Sequence, residues 1–217
     1  VILVTSGAVG AGMAKLGMRE RPRIMEEKQA AASVGQCELM FIYDKYFSEY
    51  GQTIAQLLLH KDVTTHENLR ENAQNTLETL LRYGAIPIIN ENDTISTAEF
   101  GIGDNDTLGA IVAVSTASDI LVLLSDIDGL YTADPHKDPE AELIPVVEEL
   151  TEEIKALGGG AGSELGTGGM ATKLRAAEMC VEAGCDMVIA NGADPEILYR
   201  IVEGERVGTR FIGRKKK

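Results

Sequence analysis

The stretch Leu80-Leu-Arg-Tyr-Gly84-Ala-Ile-Pro-Ile-Ile-Asn-Glu-Asn-Asp93 decides the fold class of this chain. Residues 67–83 carry leucines at helical spacing, which predicts an amphipathic helix that ends at Gly84, a favourable C-terminal stop. Residues 85–90 form a short apolar run, typical of a buried strand, and they lead into a polar loop. A helix that is followed at once by a buried strand predicts an α/β protein.

The same alternation of strands and helices extends in both directions from this stretch. It predicts an α/β fold with a largely parallel sheet. Further strands are predicted at residues 1–5, 53–59, 119–125 and 186–190. Further helices are predicted at residues 26–50 with an interruption at Gly35, at 105–118, around 152, at 170–183 and at 195–202.

Composition restricts the class of protein. The chain has 217 residues, of which 44% are hydrophobic and 25% charged, the balance of a globular domain. No apolar run reaches the ~18 residues of a membrane-spanning helix, so we expect a cytoplasmic protein without a membrane partner. The formal net charge of −14 argues against nucleic-acid binding.

Cysteine and histidine, the residue types that most often bind transition metals, are scattered along the chain. The three cysteines form no C-x-x-C pair and the three histidines lack ligand spacing, so neither a disulfide framework nor a His or Cys metal cluster is predicted. Residues 1–213 are expected to form one domain, which begins inside a hydrophobic strand pattern and is therefore expected to be incomplete at its N-terminus. Residues 214–217 read as a solvated basic tail.

Polar clusters follow the predicted strands at the places where open α/β sheets bind ligands. One such cluster would mean little, because Asn, Asp and Gly are common in turns. Several clusters, each at the end of a strand, favour a binding site: Thr5-Ser6-Gly7-Ala8, Asn90-Glu91-Asn92-Asp93, Ser125-Asp126 and Asn191-Gly192.

A glycine-rich segment points to phosphate binding: Gly166-Thr-Gly-Gly-Met-Ala-Thr-Lys173. Glycines let the backbone approach a phosphate, and the N–H groups of the helix that follows point towards it. Lys173, one turn into that helix, can place a positive charge against phosphoryl oxygens. The alternative is a glycine-rich lead into a helix with a surface lysine, since the segment is not a P-loop.

The remaining clusters are open to two interpretations. Gly103-Asp-Asn-Asp106 can cap a helix, but it has more polar groups than a cap needs, so a carboxylate could hold lysines there and the asparagine could bind a substrate. The segment from Asn90 to Asp93 can be a polar turn or can bind an ammonium group. Asp128-Gly129 and Asp134-Pro135 are typical turn formers, whereas Ser125-Asp126 lies at the end of a strand.

Taken in series, five motifs resemble the glutamate 5-kinase family of the amino acid kinase superfamily over essentially the whole chain. They are Thr5-Ser6-Gly7-Ala8, Asn90-Glu-Asn-Asp93, Gly103-Asp-Asn-Asp106, Ser125-Asp126 with Gly129-Leu-Tyr-Thr-Ala-Asp-Pro135, and Gly166-Thr-Gly-Gly-Met-Ala-Thr-Lys173. The resemblance implies a three-layer α/β/α sandwich with a central, mainly parallel sheet. It also implies phosphorylation of L-glutamate by ATP to L-glutamyl 5-phosphate, the first step of proline biosynthesis, with Mg²⁺ bridging the phosphates, a homo-oligomer and inhibition by proline.

The resemblance also implies roles by position. Glutamate would contact Ser6, Asp93 and Asn105. Lys173 would stabilise the transferring phosphoryl group and Asp106 would organise the lysines. ATP would be bound by Ser125, Asp126, Thr167, Gly168, Gly169, Met170, Ala171, Thr172 and Lys173.

Two departures from the family pattern stand out. The opening strand with a Lys-x-Gly-Ser/Thr motif is absent, and the chain stops where many members begin a small RNA-binding-type domain. Two rival functions accompany the first. One is another kinase of the superfamily, acting on N-acetylglutamate, aspartate, carbamate or UMP, and the other, which the missing lysine favours, is a regulatory module that binds glutamate or proline without turnover.

Overall fold

The structure, a computed structural model, describes residues 1–60, 63, 66–95, 104–135, 137–159 and 168–214. The chain divides into two compact units, Val1–Leu108 and Gly109–Lys217. Four of the five strand pairs in the described residues are parallel, which confirms the predicted α/β class with parallel-dominated sheets.

The first unit has a three-stranded parallel sheet, made of β1 (Leu3–Val4), β2 (Ile54–Leu59) and β3 (Ile86–Glu91) in the order β1-β3-β2. Its central strand is the predicted one, and Ile88 and Ile89 within it are fully buried. Gly84 ends the preceding helix with a φ of 75°, a conformation that glycine adopts without strain. The elements are β1 (Leu3–Val4), α1 (Ala8–Leu16), α2 (Met25–Ser48), β2 (Ile54–Leu59), α3 (Glu67–Arg82) and β3 (Ile86–Glu91), followed by α4 (Asn105–Ser115), which continues into the second unit.

The second unit has a four-stranded sheet, made of β4 (Ile120–Ser125), β5 (Val146–Val147), β6 (Asp186–Asn191) and β7 (Thr209–Phe211) in the order β4-β6-β7-β5. β4 and β6 are parallel, as are β5 and β7, whereas β6 and β7 are antiparallel. Met187 and Phe211, which face each other across β6 and β7, are fully buried in its core. The elements are β4 (Ile120–Ser125), β5 (Val146–Val147), α5 (Glu152–Ala156), α6 (Gly168–Ala183), β6 (Asp186–Asn191), α7 (Ile197–Val202) and β7 (Thr209–Phe211).

A hydroxyl group stabilises the loops of the second unit. Thr209 is fully buried, and its Oγ1 accepts a hydrogen bond from the Leu130 N–H at 2.7 Å and donates one to the Ile144 carbonyl at 2.6 Å. A Cβ on Gly129 would lie 2.5 Å from that hydroxyl. Gly129 was expected only as a turn former, and the structure adds close contact with Thr209 as a second requirement for glycine.

The predicted interruption of the long helix at Gly35 is wrong, because α2 is continuous from Met25 to Ser48. Gly35 instead lets α1 and α2 touch through their backbones. A Cβ at Gly35 would lie 1.7 Å from the Ala8 carbonyl oxygen, and a Cβ at Gly12 would lie 1.7 Å from the Ala31 carbonyl oxygen. The two glycines are thus reciprocal, each making room for the backbone of the other helix.

We expect Gly35→Ala to destabilise the fold by about 2–3 kcal/mol, because the new methyl group overlaps backbone atoms, which cannot turn aside as a side chain can. Gly10→Ala is the matched control in α1, since nothing lies within 4 Å of a Cβ there. It should be neutral or stabilising by up to ~1 kcal/mol. Urea unfolding measures both, and equal effects of the two substitutions would contradict the backbone contact.

Candidate active site

A buried amide network lies at the carboxyl ends of β1 and β3. Asn90 is 2% exposed, and its Nδ2 donates to Gln36 Oε1 at 3.0 Å. Its Oδ1 accepts from the Glu91 N–H at 2.9 Å and from Asn105 Nδ2 at 3.2 Å. Because each polar atom of this carboxamide is satisfied, the network fixes the backbone from which Glu91 and Asp93 project.

The start of α4 joins this network. Asn105 Nδ2 also donates to the Thr5 carbonyl, so the asparagine bridges the ends of two strands. Asp104 caps the helix, accepting from the Thr107 N–H at 2.6 Å and from Thr107 Oγ1 at 3.0 Å. Capping therefore accounts for Asp104, whereas Asp106 lies half-buried in the first turn.

Ser6 lies between Thr5, which is hydrogen-bonded to β3, and Gly7, which precedes the first residue of α1. Thr5 is anchored to β3 through its N–H, 2.8 Å from the Ile89 carbonyl, and its hydroxyl lies 2.7 Å from the Tyr43 hydroxyl. Gly7 has a φ of 92° and provides no side-chain cap for α1. Ser6 is exposed, so its hydroxyl and the N–H groups of the first turn of α1 can contact a ligand.

Asp93 lines an open cavity of about 990 Å³ in the first unit. The other lining residues come from α1, from the loop that follows it and from the first turn of α2: Val9, Glu20, Arg21, Pro22, Arg23 and Lys28. Burial, and secondly the negative charge of Glu91, raise the pKa of the Asp93 carboxyl above its ordinary value. A carboxylate in such surroundings favours a cationic partner such as an ammonium group.

Polar groups also meet in the second unit, at the carboxyl ends of β4 and β6. Ser125 is paired with Asn191 across these strands, and its hydroxyl donates to Asp126 Oδ1 at 3.2 Å. Asp128 accepts hydrogen bonds from Asn191 Nδ2 at 2.8 Å and from the Tyr131 hydroxyl at 3.1 Å. Asp128 was expected only as a turn former, so its position at this edge of the sheet is an addition to the prediction.

The phosphate-binding segment is described from Gly168 onwards, where α6 begins; Gly166 and Thr167 lie outside the described residues. Among the residues that the structure describes, nothing lies within 4 Å of a Cβ placed on Gly169. The Thr172 hydroxyl donates to the Gly169 carbonyl at 2.8 Å. Ala171 is exposed, Lys173 is half-buried one turn in, and Met170 packs against the core, which indicates a structural contribution from that methionine.

Some site residues gave little signal in the sequence. Gln36 is one of several polar residues on α2, and only the fold shows that it meets Asn90. Arg21 and Lys28 look like surface charges until the cavity is seen.

Among the described residues no three His, Cys, Asp or Glu side chains are grouped as a metal site. Within the same ranges, no helix is both long and apolar enough to cross a bilayer.

Comparison with known proteins identifies the family of this chain. A model of the amino acid kinase family matches residues 1–191. This chain belongs to the amino acid kinase family. Within that family it is 51% identical to the glutamate 5-kinase of Listeria innocua, over all of this chain and 80% of that relative. It is 53% identical to the glutamate 5-kinase of Clostridium acetobutylicum, over all of this chain and 81% of that relative.

Solved structures of two other kinases share the fold at low identity. An isopentenyl phosphate kinase has a TM-score of 0.63 at 19% identity, covering 97% of this chain and 83% of its own. UMP kinase from Ureaplasma parvum has a TM-score of 0.58 at 16% identity, covering 94% and 76%. The resemblance to glutamate 5-kinases is confirmed, and the roles of individual site residues stay predictions.

We expect Asp93→Asn to leave the fold as stable as the parent at neutral pH, or more stable. Because the pKa is raised in the folded state, the unfolded chain gives up its proton first as pH rises from the ordinary value of about 4. The parent therefore loses stability between that value and the folded-state pKa, and the asparagine variant lacks this loss. Urea unfolding between pH 4 and 7 measures the difference.

Asp44→Asn, at an exposed position on α2, is the control and should not reproduce the pH-dependent gain. An Asp93→Asn protein that is clearly less stable than the parent at neutral pH would show instead that the carboxylate makes a net favourable contact in the fold.

Proposed function

We propose that this chain transfers the γ-phosphoryl group of ATP to the side-chain carboxylate of L-glutamate, which yields L-glutamyl 5-phosphate in the first step of proline biosynthesis. The single observation that carries the proposal is 51% identity to a glutamate 5-kinase over the full chain. We also propose that the enzyme is cytoplasmic, since both substrates are metabolites of that compartment. A homo-oligomer, which the resemblance to glutamate 5-kinases implies, completes the proposal.

The first unit binds the acceptor in this proposal. Asp93 attracts the α-ammonium group of glutamate, and Ser6 contributes its exposed hydroxyl. Both hydrogens of the Asn105 carboxamide are used within the protein, which makes its oxygen the group that can face the substrate. The buried network through Asn90 holds these groups in place before substrate arrives, and such preorganisation lowers the entropic cost of binding.

The second unit binds ATP in this proposal. Ser125 and Asp126 lie at the end of β4, and the segment from Thr167 to Lys173 leads into α6. Its glycines and helical N–H groups suit phosphate oxygens. The Asp126 carboxylate is the group of this unit that would help to hold Mg²⁺, which would supply positive charge against the phosphates of ATP.

The reaction requires no general base, because the attacking carboxylate is already ionised. A carboxylate oxygen of glutamate forms a bond to the γ-phosphorus while the bond to the bridging oxygen of ADP breaks. Catalysis then depends on alignment and on neutralisation of charge on the phosphoryl oxygens. Lys173 supplies that charge in our proposal, and Asp106 positions the lysine side chains.

We expect Lys173→Ala to lower kcat by about 10²–10³-fold, since a positive charge next to the transferring group is lost. The assay traps the acyl phosphate with hydroxylamine in the presence of ATP and Mg²⁺, with glutamate, N-acetylglutamate and aspartate compared side by side. Hydroxamate from glutamate in preference to the others identifies reaction and acceptor together.

Arg175→Ala removes an exposed cation from the same helix and should keep near-parental turnover. Equal turnover by the Lys173→Ala variant and the parent would refute the role of Lys173. Absence of hydroxamate from all three acceptors would refute the kinase assignment and favour a glutamate- or proline-binding module.

We also expect proline to inhibit competitively with glutamate, because it shares an α-carboxylate and a cationic nitrogen with the substrate. Initial rates at several glutamate concentrations test this, and millimolar proline that leaves the rate unchanged would contradict it. Glycine, which has the same two groups without a ring or side chain, is the control and should inhibit far less.

A further inference from the structure

The cavity that Asp93 lines is notable for its positive charges. Arg21, Arg23 and Lys28 line it together with the carboxylates of Glu20 and Asp93. The chain as a whole has 34 acidic and only 20 basic residues, so most of its surface repels an anion such as glutamate. Three cations around one cavity, with two carboxylates among them, form surroundings that match an amino acid with both an ammonium group and carboxylates.

Two of these cations are available for a ligand. Arg23 lies 3.5 Å from Glu20, an exposed ion pair that offsets part of its charge. Within the described part of the chain, the side chains of Arg21 and Lys28 have neither a hydrogen-bond partner nor an ion-pair partner. Charged groups that line a cavity without partners gain most from binding an anion of complementary charge.

We propose that Arg21 and Lys28 bind the α-carboxylate of the acceptor amino acid, opposite Asp93, which takes its α-ammonium group. This inference rests on the proposed function and adds the residues that select an α-amino acid. Arg21 offers a planar fork suited to a carboxylate, and Lys28 adds a compact charge from the first turn of α2. Pro22, buried between the two arginines, fixes the backbone of the loop and limits its freedom.

The proposal separates two analogues of glutamate that each lack one group. Glutarate keeps both carboxylates and lacks the ammonium group, so its binding should depend on Arg21 and Lys28 and be insensitive to Asp93. 4-Aminobutanoate keeps the nitrogen but lacks the α-carboxylate, so its binding should be insensitive to Arg21 and Lys28.

The experiment compares the parent with Arg21→Gln, Lys28→Gln and the double variant. Each single change should raise KM for glutamate about tenfold and change kcat less than about threefold, because the carboxylate contact is equally strong in the ground state and the transition state. The inhibition constant of glutarate against glutamate should rise in parallel, whereas that of 4-aminobutanoate should stay within about twofold.

Arg19→Gln, in the same loop but outside the cavity lining, and Lys45→Gln, near the end of α2, remove the same charges elsewhere and should leave KM within about twofold. Thermal unfolding verifies that all variants fold. A double variant with the parental KM for glutamate, or with a matching loss of 4-aminobutanoate binding, would overturn the proposal. A parent enzyme that forms no glutamyl phosphate would overturn the proposed function instead.

Discussion

The backbone contact between α1 and α2 is the constraint on which the first unit depends. Gly12 and Gly35 each occupy a point where a single methyl group would overlap the carbonyl of the other helix. The contact fixes the start of α1, and with it Ser6 and Gly7, against the middle of α2. Gln36 follows Gly35 directly and accepts a hydrogen bond from Asn90. The same helix contact therefore also positions the Gln36 side chain against the buried amide network.

Electrostatics and packing serve different parts of this unit. The carboxamides of Gln36, Asn90 and Asn105 form a neutral, hydrogen-bonded layer, which tolerates burial at little cost. Charges lie farther out, around the cavity, where water screens them until a ligand enters. Asp93 lines the cavity but is partly buried and close to the charge of Glu91, which raises its pKa and lets it favour an ammonium group.

The sequence predicted more of the fold than of the site. Hydrophobic periodicity located the strand at Ile86–Glu91 and the helix before it, because burial on both sides of a parallel strand leaves a continuous apolar run. Hydrophobic periodicity did not reveal β5 and β7, because strands of two and three residues are too short to show a periodic pattern. Gly35 was misread as a break because a helical glycine at a close contact looks the same in sequence as one at an interruption. Arg21 and Lys28 gave no local signal, since four separate segments of the chain come together to line the cavity.

The second sheet has an implication for synthesis of the protein on the ribosome. β5, at residues 146–147, is paired with β7 at residues 210–211, and β7 in turn separates it from β6. The nascent chain must therefore extend through Phe211 before Val146 and Val147 can enter the sheet, and at ordinary elongation rates this delay lasts several seconds. Until then the loop tied by Thr209 is open and the apolar edge of β6 is exposed. This half of the protein is thus the part that a chaperone would have to protect while translation continues.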